Sequence, residues 1–125
     1  MKASDEDLTS FIGASFRSVW ALEVFCHLRQ DPDRAHSPDA IVAALRASDA
    51  VVRQSLAELA AAGLIVIVED VGAKHAPATA RLASLAAAAE ARYATAPDAV
   101  RRVIVKAANS HLTAFADAFR LRDKP

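Results

Sequence analysis

Cysteine is almost missing from this chain of 125 residues: Cys26 stands alone, so no intramolecular disulfide can form. It lies in an apolar stretch of helical spacing, where a buried, inert thiol is expected. Glycine is nearly as scarce, and Gly13, Gly63 and Gly72, each isolated, cannot make a glycine-rich phosphate loop. No apolar run approaches the length of about 18 residues that a spanning helix needs. The N-terminal MKASDEDLTS is acidic and polar where a secretory leader is basic and then apolar, so the protein is expected in the cytosol. His27, His36, His75 and His111 are dispersed, with neither a C-x-x-C nor an H-x-x-x-H spacing to close a metal site. Neither a metal nor a cofactor is therefore expected. No Ser, His and Asp arrangement carries a nucleophile signature, so the chain is not expected to be an enzyme. Charge of one sign is also lacking: 15 basic residues balance 15 acidic ones, and the broad positive field of many nucleic-acid binders is absent.

What is present favours helix. Hydrophobic residues make up 54% of the chain and many are alanine, which suits one helical core in a single domain. Residues 1–17 read as an N-terminal arm holding Phe11, Ile12 and Phe16, with a separate short helix possible within it. From Ser18 to Arg29 the residues Val19, Leu22, Phe25, Cys26 and Leu28 recur at helical spacing. QDPDRAHSPD is loop composition, and it ends in Ser37-Pro38-Asp39, a helix start from Pro38 to about Arg46. Ser48 can cap a third helix from Asp49 to about Ala62, and Gly63 supplies a left-handed stop. Leu64 to Val68 is a short β-branched run that reads as a strand. EDVGAKHAPA then reads as a polar tip, with a return strand over roughly Ala78 to Leu82. Helical patterns follow over Ser84 to Thr95 and from Pro97 onward, with Asn109-Ser110 expected to cap or kink the last one.

Helix, helix, short turn, helix, strand, tip, strand is the order of a winged helix-turn-helix, here spanning residues 18–82 and followed by a helical tail over 83–125. The fold class expected is thus mainly α with a small β-hairpin. The segment SDAVVRQSLAELAAAGLIVIVED followed by GAKHAP resembles bacterial winged-helix regulators of the MarR type, above all in Leu59, Gly63, Leu64 and Ile65. The whole chain is also similar to small proteobacterial winged-helix proteins that carry segments like SVWALE (Ser18 to Glu23) and FADAFRLR (Phe115 to Arg122). These resemblances imply a DNA-binding transcription regulator.

On the third helix Val52, Leu56 and Leu59 form the inward stripe, and Ala50, Arg53, Gln54, Ala57 and Glu58 face the other way. Arg53 and Gln54 suit guanine and adenine edges in a major groove of double-stranded DNA, and Ser48 and Ser55 suit phosphates. Lys74 and His75 are expected at the hairpin tip, touching the DNA backbone, with Arg46 and Arg81 as further phosphate contacts. Asp49 and Glu58 oppose that role. The alternative is a winged helix used as a protein-interaction module, through the Ala-rich outer face of the third helix and the basic tail. Positive charge does gather in the tail, with seven basic and four acidic residues over 83–125 against four and five over 37–82. Val100, Val103, Ile104, Leu112, Phe115 and Phe119 form apolar stripes that are expected to pair two copies as a homodimer. The competing expectation is that they fold back on Phe16 and Trp20 of the same chain. Trp20 and Tyr93 are read as packing aromatics before pocket-lining ones.

Overall fold

The computed structural model describes the backbone of residues 4–122 and the side chains of residues 4–110. The elements run α1 (Asp5–Ser15), α2 (Val19–Arg29), α3 (Pro38–Leu45), α4 (Asp49–Ala61), β1 (Ile65–Val68), β2 (Gly72–His75), α5 (Ala80–Thr95) and α6 (Pro97–Arg122). The fold is mainly α with a two-stranded antiparallel hairpin, as the periodicity predicts.

One local device opens five of the helices. Ser4, Ser18, Ser37, Ser48 and Thr79 each take extended backbone and accept a hydrogen bond at 3.1 Å from the N–H three residues on. Each bond satisfies one of the donors that a helix start leaves without a partner. The end of α4 is equally explicit in the sequence. Gly63 sits at φ +78°, its N–H donates to the Ala60 carbonyl, and the Leu64 N–H donates to that of Leu59, both at 3.1 Å. This is the double C-terminal bond that a left-handed glycine allows. By contrast, α3 ends without glycine, on Arg46 at φ +53°.

The core is centred on α2, whose Ala21, Leu22, Val24, Phe25 and Leu28 are fully buried. Against it lie Ile41 of α3, Val52, Leu56 and Leu59 of α4, and Ile65 and Ala73 of the hairpin. Phe16 lies between Phe11, which it meets edge to face, and the tilted ring of Phe25, with ring centroids 5.8 and 5.7 Å away.

Two expectations need correction. The return strand is Gly72–His75, immediately after the tip, and not Ala78 to Leu82. Val68 pairs with Gly72 across a three-residue loop that bends at Asp70 (φ +63°), so the residues nearest the tip fill the partner positions of β1. Thr79 then caps α5, which takes Ala80 to Leu82 into helix. The helix α6 runs through Asn109 and Ser110 without a break, and both side chains are exposed where water satisfies them. Residues 1–17 hold a helix that packs into the body. Leu8, Phe11 and Ile12 of α1 belong to the same buried cluster as Leu85, Ala86 and Ala89 of α5 and Val100 and Ile104 of α6. Gly13 makes the close approach possible, because a Cβ there would stand 3.2 Å from Ala107 Cβ. Arg92 and Arg81 of α5 also pair with Asp5 and Asp7 of α1.

The hairpin has a third, minimal strand. His36, in the loop between α2 and α3, exchanges two backbone hydrogen bonds of 2.8 Å with Ala73. The close packing explains Gly72 at φ +152°, since a Cβ would fall 1.9 Å from the His36 carbonyl oxygen. Among the described residues no helix is long and apolar enough to cross a membrane.

Candidate nucleic-acid interface

The first helix of the helix-turn-helix is α3, and Arg46, Ala47 and Ser48 lead from it directly into α4. With Val52, Leu56 and Leu59 turned inward, α4 presents Ala50, Arg53, Gln54, Ala57 and Ala61 to solvent, and Glu58 is half-buried. Arg53 and Gln54 are thus exposed together on the outer face. The guanidinium of Arg53 does not extend freely: its Nε donates to both carboxylate oxygens of Asp49, at 3.0 and 2.9 Å, one turn earlier. Arg46 is exposed at the turn, and the exposed Ser48 uses its hydroxyl as the α4 cap.

Ser55 is 2% exposed and is no phosphate ligand. It falls three residues after Val52, on the packed side of the helix, and is not free to meet a phosphate as its residue type suggested. Lys74 and His75 are not at the hairpin tip but within β2, opposite Val66 and Ile65. Lys74 is half-buried. His75 lies 5.5 Å from the Phe25 ring, and its Nε2 is buried without a hydrogen-bond partner. Burial, and then the nearby Arg29 charge, hold its pKa below the usual histidine value. A neutral imidazole packed on phenylalanine is a poor contact for a phosphate backbone. The tip itself carries Glu69, Asp70 and Val71, all exposed. Arg81 is on α5 and pairs with Asp7, 3.7 Å away.

The expected pairing surface divides. Val100 and Ile104 are each 1% exposed and packed inside the chain, and the partly buried Val103 lies against Gly13, so these three pack within the chain's own core. The side chains of Leu112, Phe115 and Phe119 lie outside the described residues.

Sequence reasoning did not find the polar seam between α2 and the C-terminal helices. The Arg29 guanidinium pairs with Glu90, and the Tyr93 hydroxyl donates to Glu23, with Arg101 above the Tyr93 ring at 5.6 Å. Cys26 lies in this seam half-buried and not fully buried as expected, and burial, Glu90 and Glu23 push its pKa up to about 12, the direction of an unreactive thiol. These partners are 61 and 70 residues apart in the chain, and no local pattern links them. No group of three metal-ligating side chains occurs among the described residues. No family model matches the chain, and neither does any curated protein or solved structure.

Proposed function

We propose that this protein is a non-catalytic regulator that binds double-stranded DNA by laying α4 in the major groove. The observation that carries this reading is the outer face of α4, where Arg53 and Gln54 stand clear of the body directly after a three-residue turn. An α-helix fits the major groove, and these two side chain types form paired hydrogen bonds with guanine and adenine. Arg46 at the turn and the N-terminal end of α4 supply phosphate contacts. Base contact requires Arg53 to leave Asp49. The cost is small, because an exposed pair of this kind contributes only about 0.3–0.5 kcal/mol.

The working unit in this proposal is a homodimer, joined through the outer half of α6. Val105 and Ala108 are exposed on α6, and the spacing carries their line on through positions 112, 115 and 119. Alternate steps of three and four residues are the pattern of a helix–helix seam.

Selection from a random duplex library, followed by titration at several salt concentrations, tests the reading. Arg46 and Lys74 from each of two copies would neutralise about four phosphates, giving a log–log salt slope of about −3.6. Arg53→Ala is expected to cost about 1–3 kcal/mol at one base position, whereas Lys74→Ala weakens all sequences alike. A second reading, a protein-interaction module built on the same helix face, is favoured by the Arg53–Asp49 pair and the alanines around it. No selected duplex and no salt response would decide for that reading.

A further inference from the structure

Five large hydrophobic side chains are exposed among the described residues, and three of them, Val66, Ile67 and Val71, belong to the hairpin. The hydrogen bonds explain why this cluster differs from scattered surface apolar residues. Ala73 turns both its N–H and its carbonyl toward His36. Its neighbours Gly72 and Lys74 therefore face β1, where they meet Val68 and Val66. Alternation along an antiparallel strand then points the backbone groups of Ile65 and Ile67 away from β2. One edge of β2 is filled by β1 and the other by His36, while among the described residues β1 has only one paired edge. Ile67 is 57% exposed, and among the described residues no hydrogen bond engages its N–H or carbonyl outside the hairpin.

An open edge of four consecutive β-branched residues is a template for another strand, and no lysine or proline in β1 blunts it. The charge beside it is acidic. Glu69 and Asp70 are exposed and pair with no cation among the described residues. Such a tip repels a phosphate backbone and attracts a basic side chain.

We infer that the free edge of β1 is a docking site for an extended segment of another protein. That segment adds as a strand through main-chain hydrogen bonds to Ile67 and packs β-branched side chains against Val66 and Ile67. Where it meets the tip, it carries a Lys or Arg for Glu69 and Asp70. Strand addition of this kind takes its affinity from the backbone and its selectivity from alternate side chains. The site is separate from the outer face of α4, so it stands whether or not that face meets DNA.

The test is an NMR titration of the isotope-labelled full chain with an end-blocked heptapeptide, two lysines followed by alternating valine and threonine. The Ile67 amide is expected to shift and to gain protection from hydrogen exchange, while the amides of α4 stay in place. Glutamates in place of the lysines are expected to weaken binding about tenfold, from two charge contacts within the surface range. Ile67→Pro removes the outward N–H, which an edge strand tolerates, together with the exposed side chain, so it is expected to abolish binding while the amides of α2 and α4 stay in place. Should that variant disturb the hairpin, the double variant Glu69→Lys, Asp70→Lys decides, because it must prefer the glutamate peptide. The inference is overturned if Ile67 stays unmoved at millimolar peptide, or if both peptides bind alike. It is also overturned if duplex DNA shifts residues 67–71 more than α4, or if Ile67→Pro abolishes a self-association of the chain, which would make the occupant a second copy.

Discussion

Gly72 has backbone of the His36–Ser37 segment where any side chain would begin, with the His36 carbonyl oxygen 1.9 Å from an ideal Cβ position. Its φ of +152° is also a conformation closed to L side chains. Gly72→Ala is therefore expected to destabilise the fold by about 2–4 kcal/mol, read as a lower urea midpoint. A loss below about 0.5 kcal/mol would mean that the loop carrying His36 moves aside freely. The histidines give a second expectation. Burial lowers the pKa of His27, helped by His36, and that of His75, helped by Arg29. The folded values lie below the unfolded 6.5, so the unfolded chain takes up protons first as pH falls. Stability is full above that pH and declines as pH drops toward the folded values. Urea midpoints at about pH 7.5 and about pH 5.5 should show it, and His75→Leu should flatten the difference. Ser48 and Ser55 show the limit of residue-level reading. Both are serines of the same helix region, yet one caps and the other is buried, and only the helix's orientation separates them.

Helices announce themselves here because their signals are local. The caps at Ser37 and Ser48 and the stop at Gly63 fall where the sequence places them, since a cap needs only residues within one turn. The hairpin was legible as a strand and a turn, but its partner strand was not. Ala78 to Leu82 looks no worse as a strand than Gly72 to His75, and the choice falls to Thr79, whose hydroxyl accepts from the Leu82 N–H and commits Ala80 onward to helix. Thr79→Ala is expected to cost about 1 kcal/mol, and Thr79→Gly only a few tenths. Equal losses in thermal melts would show that the cap does not hold this boundary. The relocation of β2 changes the candidate site, because it moves Lys74 and His75 off the tip and leaves Glu69 and Asp70 there.

At the scale of the molecule, α1 is part of the body. Leu8, Phe11 and Ile12 cover the helical tail on one side, and Gly13 lets α6 approach to contact with Ala107. Removing residues 1–17 would bare Leu85, Val100 and Ile104, so the shortened chain is expected to lose cooperative unfolding and to aggregate, seen by calorimetry and light scattering. A soluble, cooperatively melting product would show that α1 is dispensable. The amino-acid order by itself determined the starts of α3 and α4, the stop at Gly63, the inward stripe of α4 and the presence of a hairpin, because each depends on neighbours within a few positions. Only the tertiary structure decided that Val100 and Ile104 are spent inside the subunit, that Arg29 meets Glu90, and that β1 is left with an open edge. Those outcomes depend on which apolar face reaches which other across dozens of residues, and a stripe on a helix states that it must be covered without stating by what.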